Sequence, residues 1–482
     1  MSLLWLPFLP LAGALLVVMA GRLPNLREAL SLVTAAVLAA LTFSWYPAVT
    51  AGETPTVVLF DFLGSAQLAF SLEPLGLLFA SVASGLWFVT TLYAAGYMRG
   101  NNEAHQTRFF TCFAIAICGA MGVALADNLL TLFLFYELLT LSTYPLVTHK
   151  GNAAARRGGR IYLGILLGTS IGLLLPAIVL TWVLTGTMRF EPGGILDGQV
   201  SQGMATLLYL MFAFGVGKAA LMPFHKWLPA AMVAPTPVSA LLHAVAVVKA
   251  GVFSILKITV YIFGLDFAAQ GDITRPVMWV AAFTLIAASL IALTRDNLKE
   301  RLAYSTVSQL AYITLGAALA TSMSVMGGAM HILMHAFGKI TLFFCAGAIY
   351  TAAHKTLVSE LDGLGRAMPF TFGAFLIASL SIIGLPPLGG SWSKWYLMLG
   401  ALDAEQAIMM AVFMISSLLN IAYLLPIPAR AFLFKPPAGS PIGLREAPLA
   451  SVVPLCLTAT GCFCLFFLPG PLMALLSPWN DS

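Results

Sequence analysis

Charge and cysteine are both scarce in this 482-residue chain. Asp, Glu, Lys and Arg together make up 9% of the residues, whereas hydrophobic residues make up 60%. A soluble protein of this length could not cover its surface with so few polar side chains, so the composition excludes a soluble globular domain. The six cysteines form no CxxC pair and fall in apolar segments, which predicts small buried side chains and not a redox or metal pair.

Motifs for cofactor chemistry are missing as well. The sequence has no dinucleotide-binding glycine fingerprint, no haem CxxCH and no iron–sulfur cysteine cluster. Gly338-Lys339 resembles the end of a P-loop but lacks its upstream glycine and its Ser/Thr. We therefore expect no cofactor, and any redox centre would belong to another polypeptide. The net charge of +5 is spread along the chain, which argues against a nucleic-acid partner.

Apolar stretches of about 20 residues recur throughout, and the mean hydropathy is +0.93. This pattern predicts an all-α polytopic membrane protein, because β-barrels show short alternating segments instead. The first stretch lacks a basic n-region and is expected to be a retained helix, not a signal peptide. We predict fourteen spans near residues 3–20, 27–47, 72–98, 109–125, 127–147, 160–187, 204–222, 238–264, 276–294, 302–322, 325–353, 368–400, 407–430 and 449–475.

The basic residues predict the orientation of these spans. Of the 24 Lys and Arg residues, seventeen lie in loops after odd-numbered spans, and only Arg189 and Arg275 lie on the opposite side. Because cytoplasmic loops carry an excess of Lys and Arg, both termini are expected outside the cytoplasm of a bacterial inner membrane.

Two spans are interrupted by helix-breaking residues. Proline removes a backbone donor and glycine weakens a helix, so both spans should be broken within the membrane. Paired broken helices point to an inverted repeat, which we place in spans 4–8 and 9–13. The expected units are residues 1–108 (spans 1–3), 109–264 and 265–430 (two five-helix repeats) and 431–482 (span 14). The predicted breaks in spans 7 and 12 involve Pro223, Pro229, Pro235, Pro237, Pro386 and Pro387.

Ionisable residues inside the spans are the strongest functional signal. A charge at the bilayer centre costs about 2.5–3.5 kcal/mol, so such residues mark ion or proton paths. Glu137 is the one acidic residue that we place deep in a span. The five lysines placed in the same way are Lys218, Lys249, Lys257, Lys339 and Lys394.

Glu137 in span 5 requires a cation if it faces the helix bundle, and Lys218 in span 7 is the natural candidate. Burial favours the neutral lysine, whereas a nearby carboxylate favours the ammonium form. A change in their separation could therefore make Lys218 hold or release a proton. The alternative interpretation is a static structural ion pair.

Histidines extend this set. His331, His335 and Lys339 are spaced four apart and so share one helix face over about 12 Å, which favours a proton relay together with His243 and Lys249 in span 8. The alternative is that the histidines are hydrogen-bonded core residues. HxxxH without a neighbouring carboxylate does not indicate a metal site.

Three further residues are open to two interpretations each. Lys257 is either part of the path or a side chain that extends to the membrane interface. His225 and Lys226, near the cytoplasmic surface, either take up protons or cap the break in span 7.

The chain resembles the antiporter-like subunits shared by respiratory complex I and Mrp-type multisubunit cation/proton antiporters. The similarity covers spans 4 to 13 and is most specific in the motifs Phe135-Tyr136-Glu137-Leu138, Gly217-Lys218-Ala219-Ala220 to Pro229, Ala234-Pro235-Thr236-Pro237 to His243, Asp296 to Gln309, and Gly384-Leu385-Pro386-Pro387.

The resemblance implies a Glu137–Lys218 control pair, Lys249 as the connecting lysine, Lys394 as the exit-side lysine, and a lateral proton path at the bilayer midplane. Residues Lys355 to Arg366 look most like the D subunit of Mrp antiporters. The largest relatives carry a long C-terminal helix or added domains, and since the chain ends soon after span 14 we expect it to be none of these.

The sequence thus predicts a proton-translocating subunit of a multisubunit Na⁺/H⁺ antiporter, with other membrane subunits, protons, Na⁺ and the lipid bilayer as its partners. The first alternative is a membrane-arm subunit of an NADH-quinone oxidoreductase or hydrogenase-type complex. The second is a scaffold whose buried lysines have no transport role. No carboxylate cluster for sodium stands out within the spans.

Overall fold

The computed structural model describes residues 2–63, 66–436 and 443–476, so parts of the predicted C-terminal unit 431–482 lie outside the described residues. The N-terminal third contains helices and one β-hairpin. Its elements are α1 (Trp5–Met19), α2 (Pro24–Phe43), α3 (Tyr46–Thr50), β1 (Thr56–Leu63), β2 (Ala66–Ser71), α4 (Pro74–Gly100), α5 (Gln106–Ala124) and α6 (Leu129–Val147).

The central part contains shorter and more irregular helices. They are α7 (Ala153–Thr169), α8 (Leu175–Thr185), α9 (Gln202–Gly215), α10 (Trp227–Ala230), α11 (Thr236–Ala240), α12 (Val247–Ile258) and α13 (Leu265–Ala268). Three single π-helical turns join neighbouring helices into longer rods, and such turns are frequent at functional sites. They are Ser170–Leu174, Leu241–Val245 and Thr259–Phe263.

The C-terminal part begins with long helices. Its elements are α14 (Arg275–Thr294), α15 (Leu298–Leu319), α16 (Ser322–Ala353), α17 (Pro369–Ile383), α18 (Gly390–Asp403), α19 (Ala407–Leu424), α20 (Pro426–Leu433), α21 (Leu449–Cys464) and α22 (Pro469–Leu476). In the described residues, eleven helical segments are long and apolar enough to cross a membrane. Each predicted span overlaps helical residues, whereas the count of fourteen crossings stays a prediction.

The antiparallel hairpin β1–β2 corrects the all-α prediction. Thr56 pairs with Ser71 and Val57 with Phe70, and the register shifts twice along the ladder. Phe70 also packs against Phe135 of α6, with ring centroids 5.4 Å apart. The run of β-branched and aromatic residues in β1 is the signal that could have revealed this strand.

The spans that carry the buried polar residues lie at the centre of the bundle. The most apolar stretch of Thr236–Phe263 is 100% buried, and those of α15 and α16 are 94% and 89% buried, against 28% for Pro24–Thr50. The helix α16 packs against α4, α12, α15, α17, α18 and α21. A charged side chain on these central helices therefore faces protein and not lipid.

Candidate functional site

The first broken helix places Lys218 inside the break. The helix α9 ends at Gly215, and Lys218 lies in a single 3₁₀ turn, Gly217–Ala219. The sequence predicted that the break would follow Lys218, at the prolines. A Cβ on Gly215 or Gly217 would lie 2.5 Å from the Leu174 backbone or 2.2 Å from Thr169 Oγ1. Close packing of these glycines against the α7–α8 rod thus accompanies the earlier end of the helix.

The prolines have more varied places than the sequence suggested. Pro223 lies in the irregular segment and Pro229 lies within the short helix α10. Pro235 and Pro237 begin α11, where a missing N–H costs nothing. In the second break, Pro386 and Pro387 lie between α17 and α18, as predicted.

The exposed backbone groups of the first break are satisfied by two aromatic side chains. Trp227 Nε1 donates to the Gly217 carbonyl oxygen at 2.9 Å, and the Lys218 N–H donates to Tyr136 Oη at 3.0 Å. Irregular backbone at membrane depth requires such partners because lipid offers none. These contacts hold the lysine at a fixed place beside α6.

The Lys218 ammonium group is fully buried and bound to α6. Its Nζ atom donates to the Tyr136 carbonyl oxygen at 2.8 Å and to Thr140 Oγ1 at 2.5 Å. Nζ also lies 3.1 Å from the centre of the Tyr136 ring. Neutral acceptors and a ring face can accommodate either the ammonium or the amine, which suits a group that exchanges a proton.

Glu137 is near this lysine but does not touch it. Its two carboxylate oxygens are buried and have no hydrogen-bond partner among the described residues. The two groups still interact electrostatically across the gap. The direct pair suggested by the sequence is therefore a separated pair, with Tyr136 and Thr140 as the immediate partners of Lys218.

Gly251 of α12 allows close approach to the break. A Cβ at Gly251 would lie 2.5 Å from Ala219 N and from the Lys218 carbonyl carbon. Both atoms belong to the backbone and cannot move aside cheaply. The glycine therefore brings α12, which carries Lys249, into van der Waals contact with the Lys218 turn.

Gly251→Ala is expected to lower the free energy of unfolding by about 1–3 kcal/mol, because the added methyl overpacks a backbone contact. A thermal unfolding midpoint measured in detergent would show the loss. Gly164→Ala is the matched control, since a Cβ there meets nothing within 4 Å. Equal midpoints for both variants would contradict this packing argument.

Lys249 begins a polar row that crosses the second half of the bundle. Its Nζ atom lies 2.6 Å from His335 Nδ1. The His335 ring stacks on His331 with centroids 5.5 Å apart, and His331 contacts Ser393 Oγ at 2.8 Å and Gln309 Oε1 at 3.2 Å. The two histidines thus join Lys249 on α12 to Ser393 on α18.

Lys394 lies at the far end of this row. The Tyr312 ring stacks on His331, with centroids 5.6 Å apart. Lys394 Nζ donates to Tyr312 Oη at 3.4 Å, to Ser417 Oγ at 3.0 Å and to the Ile383 carbonyl oxygen at 3.1 Å. The last contact uses a carbonyl at the end of α17, so the second broken helix supplies a ligand for its own lysine.

Lys339 and His243 lie beside the row and not in it. Lys339 Nζ donates to Ser305 Oγ at 2.6 Å, and Ser305 bonds in turn to Tyr423 Oη at 2.9 Å. The His243 ring packs against Phe343 with centroids 4.6 Å apart, and neither ring nitrogen has a hydrogen-bond partner in the described part of the chain. The structure therefore divides the predicted histidine set into two contacting residues and one separate residue.

His225 and Lys226 lie at the opposite surface, where the sequence placed them. Both line a groove of about 600 Å³ together with Trp279 and Phe283. His225 is nearly buried, and this burial, with a smaller contribution from the Lys226 ammonium, lowers the pKa of His225 below its ordinary value. The imidazole is therefore neutral near pH 7 and able to accept a proton.

Lys257 is the residue whose partner the sequence did not reveal. Its Nζ atom lies 3.0 Å from Glu73 Oε1, and its side chain is 1% exposed. Lys257 therefore does not extend to the interface, and Glu137 is not the sole carboxylate in the interior. Glu73 caps α4 by accepting from the Leu75 N–H at 2.7 Å. Its place before Pro74 is the helix-start signal that could have drawn attention to it.

Metal and redox sites have no counterpart in the described residues. No group of three or more His, Cys, Asp or Glu side chains is close enough there to hold a metal ion. The six cysteines are free. Cys464 is exposed, which corrects the prediction that every cysteine is buried.

The fold and site define a polytopic membrane protein with titratable side chains in its interior. The chain belongs to the family described as NADH:quinone oxidoreductase/Mrp antiporter, transmembrane region, whose model matches residues 126–420. The matched region holds both breaks, the polar row and the Lys218 site.

Relatives come from both branches of this family. NADH-quinone oxidoreductase subunit N of Desulforudis audaxviator (strain MP104C) is 33% identical over 71% of this chain and 68% of its own length. A probable K⁺/H⁺ antiporter polypeptide of Rhizobium meliloti (strain 1021), which carries the designation A/B, is 30% identical over 95% of this chain and 46% of its own length. The chain spans only about half the length of several such relatives.

Two solved structures share the fold. A chain of the Mrp complex from Dietzia sp. DQ12-45-1b superimposes with a TM-score of 0.84 at 23% identity, over 99% of this chain and 97% of that one. A chain of the membrane-bound sulfane sulfur reductase, an archaeal respiratory complex, gives a TM-score of 0.86 at 24% identity, over 97% and 76% of the two chains.

Proposed function

We propose that this chain is the proton-translocating subunit of a multisubunit monovalent cation/proton antiporter, that Na⁺ is the exchanged cation, and that its counterpart in Mrp antiporters is the D subunit. The observation that carries the proposal is the row from Lys249 through His335 and His331 to Lys394. Buried ionisable groups in contact, on the most enclosed helices, are costly unless they are used. The antiporter relative that aligns with 95% of the chain supports this choice.

The proposed path starts at the groove with His225 and Lys226 and reaches Lys218, where Glu137 biases the protonation state. Gly251 brings α12 against the Lys218 turn, so Lys249 is the connecting residue between the two halves. The histidines then carry protons towards Lys394. Lys339 and His243 line the same region and would adjust the field around the row. The helix breaks at Pro223 and at Pro386-Pro387 provide the irregular backbone that binds the two end lysines.

The proposed architecture has fourteen crossings, with inverted repeats at residues 109–264 and 265–430, units 1–108 and 431–482 on either side, and both termini outside the cytoplasm. The positions of the two broken helices support the repeat. Each buried lysine of a break has a carbonyl ligand, Tyr136 for Lys218 and Ile383 for Lys394. Other membrane subunits of the complex are the proposed partners.

Exchange without a redox reaction is the expected activity. The intact complex, reconstituted in vesicles with an acidic interior and an internal pH dye, should release protons when NaCl is added outside. Choline chloride is the control for osmotic effects, and KCl tests the alternative cation. Exchange with neither Na⁺ nor K⁺ would contradict the proposal.

The second candidate is a membrane-arm subunit of a redox-driven complex, favoured by the 33% identity to an NADH-quinone oxidoreductase subunit. It predicts that the same vesicles move protons only when an electron donor and a quinone are supplied through partner subunits. Identification of the other chains in the purified complex would distinguish the two, because flavin- or quinone-binding partners are expected only in the second case.

A further inference from the structure

A cavity of about 610 Å³ opens at the end of the bundle opposite to most basic loop residues. Its wall is formed by the start of α4, the α5–α6 turn, the segment around Phe190 and the end of the α12 rod. Two cations, Arg189 and Lys257, face this space. The carboxylates that line it are Glu53, Glu73, Asp127, Glu191 and Asp266.

The Glu73–Lys257 pair lies in the cavity wall but is almost closed off. The side chains are 11% and 1% exposed, respectively. Lys257 Nζ also donates to the Ala126 carbonyl oxygen at 2.7 Å and lies 4.8 Å from the Phe190 ring centre. Glu73 Oε2 accepts a hydrogen bond from Tyr261 Oη at 3.3 Å. The pair thus joins the interior of the bundle to the wet space.

A buried ion pair is a poor means of stabilising a fold, since well-packed apolar residues of similar volume are often as good or better. Lys257 is also on the same rod as Lys249, eight residues further on, which corresponds to about 12 Å along the axis. Phe253 lies between them and packs against Phe79 with ring centroids 4.9 Å apart. An aromatic contact therefore separates the connecting lysine from the cavity-lining pair.

We propose that Glu73 and Lys257 form a proton-transfer station that connects Lys249 to the outer cavity, with the Phe79–Phe253 contact as the barrier between them. This inference rests on the proposed function and adds a transverse branch to its lateral path. In the step itself, an N–H bond of the Lys257 ammonium breaks and an O–H bond forms on Glu73, which leaves a neutral pair. Glu73 then releases the proton to cavity water, and the Lys257 amine takes the next proton from the direction of Lys249.

The test compares Lys257→Arg with the double variant Glu73→Gln/Lys257→Met in the intact complex. Arginine keeps the charge and the pairing but does not give up its proton. We expect Lys257→Arg to assemble normally and to lower the maximal exchange rate about tenfold or more, with the half-saturating Na⁺ concentration unchanged. The double variant removes both charges without leaving either unpaired, and the same loss is expected.

Arg275→Gln is the matched control, because this exposed pair with Asp272 lies on the same side outside the cavity wall. Wild-type exchange in both test variants would overturn the station. If the double variant fails to assemble, Lys257→Arg alone decides between the two outcomes. Lys218→Met in the same assay separates the levels of the argument: its loss of exchange beside normal Lys257 variants refutes only this inference, whereas normal exchange in Lys218→Met refutes the proposed function and this inference with it.

Discussion

Lys218→Met is expected to lower the exchange rate of the intact complex about 100-fold or more. Methionine fills a similar volume but cannot carry a proton, so a charge would have to cross the break unaided. The cost of a charge at mid-membrane is about 2.5–3.5 kcal/mol on the lenient scale, and each 1.36 kcal/mol corresponds to a factor of ten in rate. The initial rate of Na⁺-dependent proton release from vesicles is the measurement.

Lys435→Met is the control for lysine removal, since this side chain is exposed near the end of α20. Size-exclusion chromatography of the complex would show that Lys218→Met still assembles. Glu137→Ala is expected to share the loss, because the separated carboxylate would no longer bias the lysine. Near-normal exchange in an assembled Lys218→Met complex would instead favour a scaffold role.

The sequence was most informative where a residue is expensive. Lys218, Lys249, Lys339 and Lys394 were recognisable because a cation in an apolar segment has few structural uses. Their hydrogen-bond partners were not recognisable, since Thr140, Ser305 and Tyr312 are ordinary helix residues until packing brings them to a lysine. Tertiary contacts thus decide which polar residues act as ligands.

Local signals also failed where packing decides the backbone. The prolines indicated that the first break begins after Lys218, but the helix ends earlier, where Gly215 and Gly217 pack against Leu174 and Thr169. Glycine spacing alone does not reveal which neighbour will press against it. The Glu73–Lys257 pair was missed for a related reason, since the two residues are far apart in sequence and Glu73 lies at the edge of a span.

The junction between Lys249 and His335 gives the second large effect. Lys249→Met is expected to lower exchange about 100-fold, by the same charge-transfer cost as for Lys218. His335→Gln keeps a polar group of similar size but cannot be protonated, and a loss of about tenfold or more is expected. His354→Gln is the control, because that histidine is exposed at the end of α16.

Groups in one pathway do not contribute independently, and the double variant exploits this. If Lys249 passes its proton directly to His335 across their 2.6 Å contact, the loss of both should be no worse than the loss of Lys249 alone. Parallel routes would instead give losses that multiply, to roughly a thousandfold when the two single effects combine. Exchange rates of the two single variants and the double variant, measured at equal amounts of assembled complex, therefore test whether the row is one series path.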